Sequence, residues 1–213
     1  MKAISVGIRA ETLTPFAYHS LMVQGGTATL PELISDRAIA FALASTLGIM
    51  RARVALPGKD YLRDWRAMPW RTSVFSSSNP SLLPPIIRRL NLTEDGGYKE
   101  KLQNLTGKGN FKDFFSTQEV PQGVIFKGVV FGFDPFKEIF KLTGKEELVI
   151  RVGLHRNGMV RLTPEKQKKV RLNVSTAALF KRELAVDRYL LHSLQLSPEM
   201  PIKEALKEVQ QWI

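Results

Sequence analysis

The sequence contains no cysteine and only three histidines, His19, His155 and His192. Without cysteine, the chain forms no disulfide, no thiolate metal site and no cysteine nucleophile. The histidines include no HExxH pattern and no pair spaced four residues apart, so a zinc site would need carboxylates from distant segments. The sequence also lacks the GxxxxGK[ST] motif of P-loop proteins and the GxSxG motif of serine hydrolases. We therefore expect neither a metal nor a cofactor.

Long hydrophobic runs are also missing. No run approaches the roughly 18 apolar residues that a membrane span needs, and the first 25 residues lack the apolar block of a signal peptide. We therefore expect a cytoplasmic protein with no membrane partner. Hydrophobic residues make up 44% of the 213 residues and aromatic residues 9%, which is enough to build a packed core.

Positive charge is the feature that the sequence has in excess. Thirty-one Lys and Arg residues face 20 Asp and Glu residues, giving a net charge of +11. A protein this basic most often binds a polyanion such as nucleic acid, although a basic protein without an anionic partner is the alternative. The excess lies in residues 51–112 and 137–182 rather than in a terminal tail. Basic residues interleaved with Trp, Phe and Val predict a folded, charged surface.

The order of predicted elements indicates an α+β fold. Alternating apolar residues predict a strand over 3–10, and the alanine-rich run that ends at Gly48 predicts a helix over about 34–47. A ferredoxin-like core with an antiparallel sheet and one open sheet face accommodates this order. The further predictions are a strand at 70–75, a turn or two of helix at 86–90, a strand at 124–133, a helix at 136–142, a hairpin of 147–154 with 159–162, a strand through 170–174, and helices at 182–195 and 201–212.

Several basic segments are candidates for nucleic-acid binding. In the predicted hairpin, Arg151 lies on the strand face opposite Ile150 and Val152, so one face is apolar and the other cationic, as a sheet lying on a sugar-phosphate backbone requires. The glycine-flanked Lys108 is either a phosphate-binding loop or an ordinary turn. The full set of candidates is Arg51, Arg53, Arg63, Arg66, Trp70, Arg71, Lys108, Lys112, Arg151, His155, Arg156, Arg161, Lys168, Lys169 and Arg171.

Two further patterns leave alternatives open. Phe131 and Phe133 lie on a strand interrupted by glycines. If exposed, their rings would stack on bases, but strands rich in Val and Phe normally belong to the core, which is the interpretation we favour.

Metal-free RNA cleavage needs only a general base and cations, and His19 or His155 would serve as the base. The alternative for these histidines is an ordinary structural role.

The chain as a whole resembles the RAMP superfamily of CRISPR-associated proteins, and is most similar to the subunit that caps the 5′ handle of crRNA in type I Cascade complexes. The resemblance rests on residues 34–44, read as the first RAMP helix, on the glycine-containing turn at 107–115 and on the hairpin at 147–162. It implies a single ferredoxin-like domain over 1–213, with a thumb-like insertion at 51–95 and a C-terminal helical segment at 182–213.

The resemblance also implies a function and partners. Family members hold the crRNA handle by shape and phosphate contacts, next to the other Cascade subunits (backbone and large subunit) and to target DNA near the PAM, in the prokaryotic cytoplasm. One branch cleaves precursor crRNA itself, but its compact Tyr…Lys-His arrangement is absent here because Leu154 precedes His155. We therefore expect a non-catalytic crRNA-binding subunit. The alternatives are a metal-independent endoribonuclease that processes precursor crRNA and an unrelated basic RNA-binding module.

Overall fold

A computed structural model describes residues 4–18, 21–23, 26–48, 61–89, 114–153 and 157–212. The helices are α1 (Asp36–Thr46), α2 (Tyr61–Ala67), α3 (Pro135–Thr143), α4 (Val174–Leu179) and α5 (Ile202–Val209). The strands are β1 (Ser5–Thr12), β2 (Leu21–Val23), β3 (Gly26–Ala28), β4 (Leu33–Ile34), β5 (Arg71–Thr72), β6 (Phe75–Ser76), β7 (Ile86–Arg89), β8 (Phe114–Gln118), β9 (Ile125–Phe131), β10 (Leu148–Val152), β11 (Gly158–Pro164), β12 (Lys169–Val170), β13 (Arg188–Leu191), β14 (Leu194–Leu196) and β15 (Met200–Pro201).

The central sheet has the strand order of a ferredoxin-like fold. Its order is β10-β11-β1-β9-β6-β4, with β5 also paired to β9, and every pairing is antiparallel. Along the chain, β1 is followed by α1 and by β5 and β6, and β9 is followed by α3 and then β11. This is the strand-helix-strand-strand-helix-strand pattern with the first strand in the middle of the sheet, and β10 adds an edge strand. The predicted α+β, ferredoxin-like fold is confirmed.

Both helices that flank the main core lie within two residues of their predicted bounds, although Ile34, predicted as helical, belongs to strand β4. Ser35 caps α1, because its Oγ atom accepts a hydrogen bond from the Ala38 amide at 3.2 Å. Gly48 follows the helix with a φ of 69°, a left-handed conformation that glycine adopts without strain. Asp134 caps α3 in the same way, and Gly144 ends it with a φ of 70°. Capping signals are local, which is why the sequence is sufficient to place them.

One face of the sheet carries the main core. Ile8, Ala10 and Thr12 alternate along β1 with more exposed residues and are fully buried. Ile39 and Leu43 from α1 and Phe136 from α3 pack into the same cluster. The two helices therefore cover one face, and they leave the opposite face of β1, β10, β11 and the first half of β9 open.

A second core covers the other end of β9. Val129 and Phe131 point away from the helix side and pack against Ala177 of α4, Val209 of α5 and Trp212. Phe131 is fully buried and Phe133 is partly buried, so these rings belong to the core, as favoured from the sequence. The C-terminal segment thus closes half of the outer sheet face and leaves Ile125 and Lys127 exposed.

Three predicted elements are wrong. Residues 188–196 form the antiparallel hairpin β13–β14 instead of a helix over 182–195, because Leu194 and Leu196 pack in a cluster with Val74. The strand expected through 170–174 is only Lys169–Val170, since Asn173 caps α4 there. Where a helical turn is expected at 86–90, Ile86–Arg89 is strand β7, which pairs with β8. Of the predicted C-terminal helical segment, Ile202–Val209 is a helix.

The predicted insertion at 51–95 is only partly described, since 51–60 and 90–95 lie outside the described residues. Within it, Trp65, Trp70 and Phe75 are almost fully buried, so this stretch contributes to the core. In the part of the chain that the structure describes, no helix combines the length and the hydrophobicity needed to span a membrane.

Candidate nucleic-acid interface

The open face of the sheet is cationic. On β10 the burial pattern alternates, so Arg151 is exposed while Ile150 and Val152 are buried, as predicted. Register pairs Glu11 of β1 with Arg161 of β11 and Arg9 of β1 with Lys127 of β9. Four basic side chains from four neighbouring strands therefore share one face: Arg9, Lys127, Arg151 and Arg161.

Carboxylates on this face hold some of the cations in place. Glu11 Oε2 accepts hydrogen bonds from Arg9 Nη1 at 2.8 Å and from Arg161 Nη2 at 3.0 Å. The hydrogen bonds from Arg161 and then Arg9 lower the pKa of Glu11. Glu165 pairs with Lys127, and that hydrogen bond lowers the pKa of Glu165. Both carboxylates stay ionised at neutral pH, so the arginines and the lysine are oriented before any ligand arrives.

A groove of 680 Å³ opens beside the first half of β9. Its cationic residues are Lys127, Lys169 and Arg171, and Glu199 is its acidic residue. Hydroxyl and amide groups make up much of the rest, contributed by Ser76, Ser77, Ser78, Asn79, Ser81, Gln122 and Gln167. The groove therefore presents hydroxyl and amide groups, together with the backbone next to Gly123. These groups suit a sugar-phosphate chain better than an apolar ligand.

Two ion pairs position the cations on the far wall of the groove. Arg171 pairs with Asp187 and also donates from Nη1 to the Ser197 carbonyl at 2.9 Å. Lys169 Nζ lies 3.6 Å from Glu199 Oε2, a contact between two largely exposed side chains. An exposed pair of this kind is weak, so Lys169 can exchange Glu199 for a phosphate at little cost.

Lys127 connects the groove to the open sheet face. It is an exposed residue of β9 in register with Arg9, and it also lines the groove. The two surfaces together form one continuous basic region, which we call the basic face: Arg9, Lys127, Arg151, Arg161, Lys169 and Arg171. Of the predicted residues, the structure brings Arg151, Arg161, Lys169 and Arg171 to this region, and Lys168 is exposed next to it.

The cluster of alternating cations and aromatics predicted at 63–71 does not join the basic face. Trp70 is fully buried and packs against Phe133 at a centroid distance of 5.4 Å, so its ring has no face for a base. Arg71 is 3% exposed. Arg63 is exposed on α2, where it bonds Asp64, and Arg66 donates to the Leu179 carbonyl at 3.3 Å.

Other predicted positions lie outside the described residues: Arg51, Arg53, Lys108, Lys112, His155 and Arg156, together with His19. Both histidines considered for catalysis are among them. His192 lies in the turn between β13 and β14, and its carbonyl accepts a hydrogen bond from Ser175 Oγ at 2.7 Å. Within the described ranges, no group of three or more His, Asp or Glu side chains is arranged to hold a metal ion.

Sequence reasoning missed several groove residues. Lys127 stands alone in an apolar strand, and Gln122 and Gln167 have no motif around them. The run Ser76-Ser77-Ser78-Asn79 was identifiable as a loop but gave no sign of facing a groove. These residues share only their position in space. The segments of β6, β9 and β12 come together only after the sheet and the C-terminal segment have folded.

Comparison with known proteins gives structural similarities only. No family model and no curated protein matches the chain. A chain from the cryo-EM structure of the type III-B Cmr-beta complex bound to cognate target RNA and AMPPnP is 11% identical, with a TM-score of 0.46, over 97% of this chain and 89% of that one. A chain of a type IV-B CRISPR complex is 11% identical, with a TM-score of 0.39, over 77% of this chain and 91% of that one.

Proposed function

We propose that this protein is a non-catalytic RNA-binding subunit of a CRISPR effector ribonucleoprotein, in which the basic face holds crRNA. The observation that carries the proposal is the groove where Lys127, Lys169 and Arg171 converge among serine and amide side chains. The RAMP resemblance of the sequence supplies the ribonucleoprotein context. The groove supplies the binding chemistry.

The composition of the groove suits RNA in particular. Lysine and arginine neutralise phosphates and release counterions, which drives binding without demanding a base sequence. Serine hydroxyls and glutamine amides both donate and accept hydrogen bonds, so they are matched to 2′-hydroxyl groups as well as to phosphate oxygens. The RAMP resemblance implies that the 5′ handle is recognised in this way, by its shape and its phosphates.

We infer a more specific role from the RAMP resemblance alone. In this role the protein caps the 5′ handle of crRNA in a type I Cascade complex in the prokaryotic cytoplasm. The partners are crRNA, the backbone and large subunits, and target DNA near the PAM. RNA that copurifies with the protein from its host is then expected to share one 5′ segment, and sequencing that RNA tests this assignment. Bound RNA without a common 5′ end would contradict the handle-capping role.

The RNA-binding proposal is tested by reversing two groove charges. Lys127→Glu with Lys169→Glu removes two phosphate partners, so the salt dependence of binding to a single-stranded RNA should become shallower by about 1.4 in log Kd against log salt. Fluorescence anisotropy over a salt series measures this slope. Lys137→Glu with Lys203→Glu is the matched control, because both lysines are exposed on helices outside the basic face. Equal slopes for the two double variants would overturn the proposal.

A further inference from the structure

A second cavity, of 340 Å³, lies between α2 and the segment that follows α4. Its lining consists of Arg66, Arg71, Leu179, Phe180 and Lys181. Every charged residue in this lining is a cation, and the lining shares no residue with the groove of the basic face. We call it the arginine pocket. A concave site with three positive charges and no carboxylate attracts anions.

Arg71 is the buried cation of the arginine pocket. Its Nη1 atom donates to the carbonyls of Met68 at 2.9 Å and Trp70 at 2.7 Å, and Nη2 donates to the Trp212 carbonyl at 3.3 Å. Its Nε–H has no acceptor, and no carboxylate among the described residues pairs with this guanidinium.

Burial lowers the pKa of Arg71 to about 10, so the side chain still carries its charge at neutral pH. None of the described carboxylates offsets the charge of Arg71, and carbonyl dipoles offset only part of the cost of burying it. An anion in the adjoining cavity would supply a counter-charge. The arrangement therefore has the form of a binding site whose ligand completes it.

The two other cations line the same cavity from different segments of the chain. Arg66 extends from α2, and its Nη2 atom donates to the Leu179 carbonyl at 3.3 Å. Lys181 has a φ of 59°, and among the described residues it is the one non-glycine residue with a positive φ. A lysine in this conformation is strained relative to glycine. The chain therefore has a charged side chain at a position where the backbone conformation favours glycine.

The surroundings of Phe180 define the class of ligand. Its ring packs against the guanidinium of Arg71 at 4.7 Å and against the indole of Trp212 at a centroid distance of 5.9 Å. These contacts occupy the one aromatic ring in the pocket lining, which is then not available to stack on a base. A phosphomonoester carries a charge of about −1.5 to −2 at pH 7, which the three cations are more than sufficient to neutralise.

We propose that the arginine pocket binds a phosphomonoester, recognising the phosphate and not the base attached to it. A free nucleotide and the terminal phosphate of a nucleic-acid strand present this same group. The site does not depend on the function proposed for the basic face, since the two are lined by different residues.

Isothermal titration calorimetry of the full chain tests the site with two pairs of probes. AMP is compared with adenosine, and a five-nucleotide RNA carrying a 5′-phosphate is compared with the same RNA carrying a 5′-hydroxyl. We expect AMP to bind about tenfold or more tightly than adenosine, the factor typical of charge-assisted hydrogen bonds. A matching preference for the phosphorylated RNA identifies a strand end as the ligand, whereas a preference seen only with AMP identifies a free nucleotide. Equal affinity for AMP and adenosine, or no AMP binding at millimolar concentration, would overturn the proposal.

Lys181→Gly is the most informative variant. Glycine adopts the left-handed backbone without strain, and the relief of that strain offsets the larger entropy of glycine in the unfolded chain, so this change removes the charge at little cost in stability. We expect AMP affinity to fall about tenfold in Lys181→Gly and in Arg66→Ala, and to remain unchanged in the control Lys137→Ala. The Lys127→Glu/Lys169→Glu variant of the basic face should bind AMP like the wild type, which separates this site from the proposed RNA groove. Wild-type AMP affinity in both pocket variants would contradict the assignment.

Discussion

The Nη2 atom of Arg161 donates a hydrogen bond to Glu11 Oε2 at 3.0 Å, across the pairing of β11 with β1. The same carboxylate oxygen accepts from Arg9 Nη1 at 2.8 Å. Two of the four cations on the open sheet face are therefore neutralised in part by one carboxylate. Glu11 both orients these arginines and competes with phosphate for them.

Replacing Glu11 with glutamine should strengthen RNA binding. The neutral amide keeps the size of the side chain but releases both guanidinium groups to phosphate. Because partly exposed ion pairs are weak, the gain in affinity is expected to be about two- to fivefold. Fluorescence anisotropy at low salt measures it, and the salt dependence should steepen at the same time. Glu204→Gln on α5 is an exposed control with the same charge change, and an affinity gain of equal size there would show that net charge alone is responsible.

Asp36 links the start of α1 to α4. Thr176 Oγ1 donates to Asp36 Oδ2 at 2.6 Å, and Asn173 Nδ2 donates to Asp36 Oδ1 at 2.8 Å. All three residues are buried. Burial raises the pKa of Asp36 above its ordinary value of 3.8, and the hydrogen bonds from Thr176 and Asn173 oppose that rise. Thr176→Val keeps the shape and removes one donor to the carboxylate. It should lower the free energy of unfolding at pH 7 by about 2–3 kcal/mol, measured by urea denaturation.

The effect of Thr176→Val should also depend on pH. A folded-state pKa above the unfolded value makes stability fall as pH rises from the unfolded pKa toward the folded one. Losing the Thr176 hydrogen bond raises the folded pKa further, so the variant loses stability over a wider pH window. Well below pH 3.8, where the carboxyl is protonated in both the folded and the unfolded state, the destabilisation should shrink. Thr143→Val, at an exposed hydroxyl on α3, is the control and should change stability by less than about 0.5 kcal/mol. A pH-independent effect in Thr176→Val would contradict the role of Asp36.

Gly128 makes room for a ring of the core. A Cβ atom at this position would lie 2.3 Å from Cδ2 of Phe75, which is fully buried. Gly128→Ala should therefore lower the free energy of unfolding by about 1–3 kcal/mol, the usual range for overpacking. Adding Phe75→Ala removes the ring and should make the cost of Gly128→Ala much smaller, which a double-mutant cycle measures. An equal cost in both backgrounds would mean that the clash with Phe75 is not the cause.

Local signals were sufficient for much of the core. The pairing of β10 with β11 follows from two alternating runs that lie close together in the sequence, with the turn signal Asn157-Gly158 between them. Neither residue of that dipeptide has the positive φ of a two-residue turn, and Gly158 is already the first residue of β11. The end of α1 follows from Gly48, and its start from a cap at Ser35 or Asp36, of which the structure uses Ser35. In each case the deciding interaction joins residues that are neighbours in the sequence.

The error at 182–195 has the opposite origin. The spacing of Leu190, Leu191 and Leu194 is compatible with a helix, and the sequence alone offers no reason to prefer a hairpin. The choice is made by Leu30, Leu33 and Val74, which form a cluster with Leu194 and Leu196. Contacts between segments more than a hundred residues apart leave no local pattern.

The amino-acid sequence by itself determined the excess of positive charge, the α+β class and the alternation that puts Arg151 on a cationic strand face. Only the tertiary structure decided which cations act together. It joined Lys127 to Lys169 and Arg171 in one groove, and it placed Arg71 beside Phe180 in a separate pocket. Charge and periodicity are properties of short segments. Which basic side chains come together depends instead on strand register and on the packing of the C-terminal segment against β9.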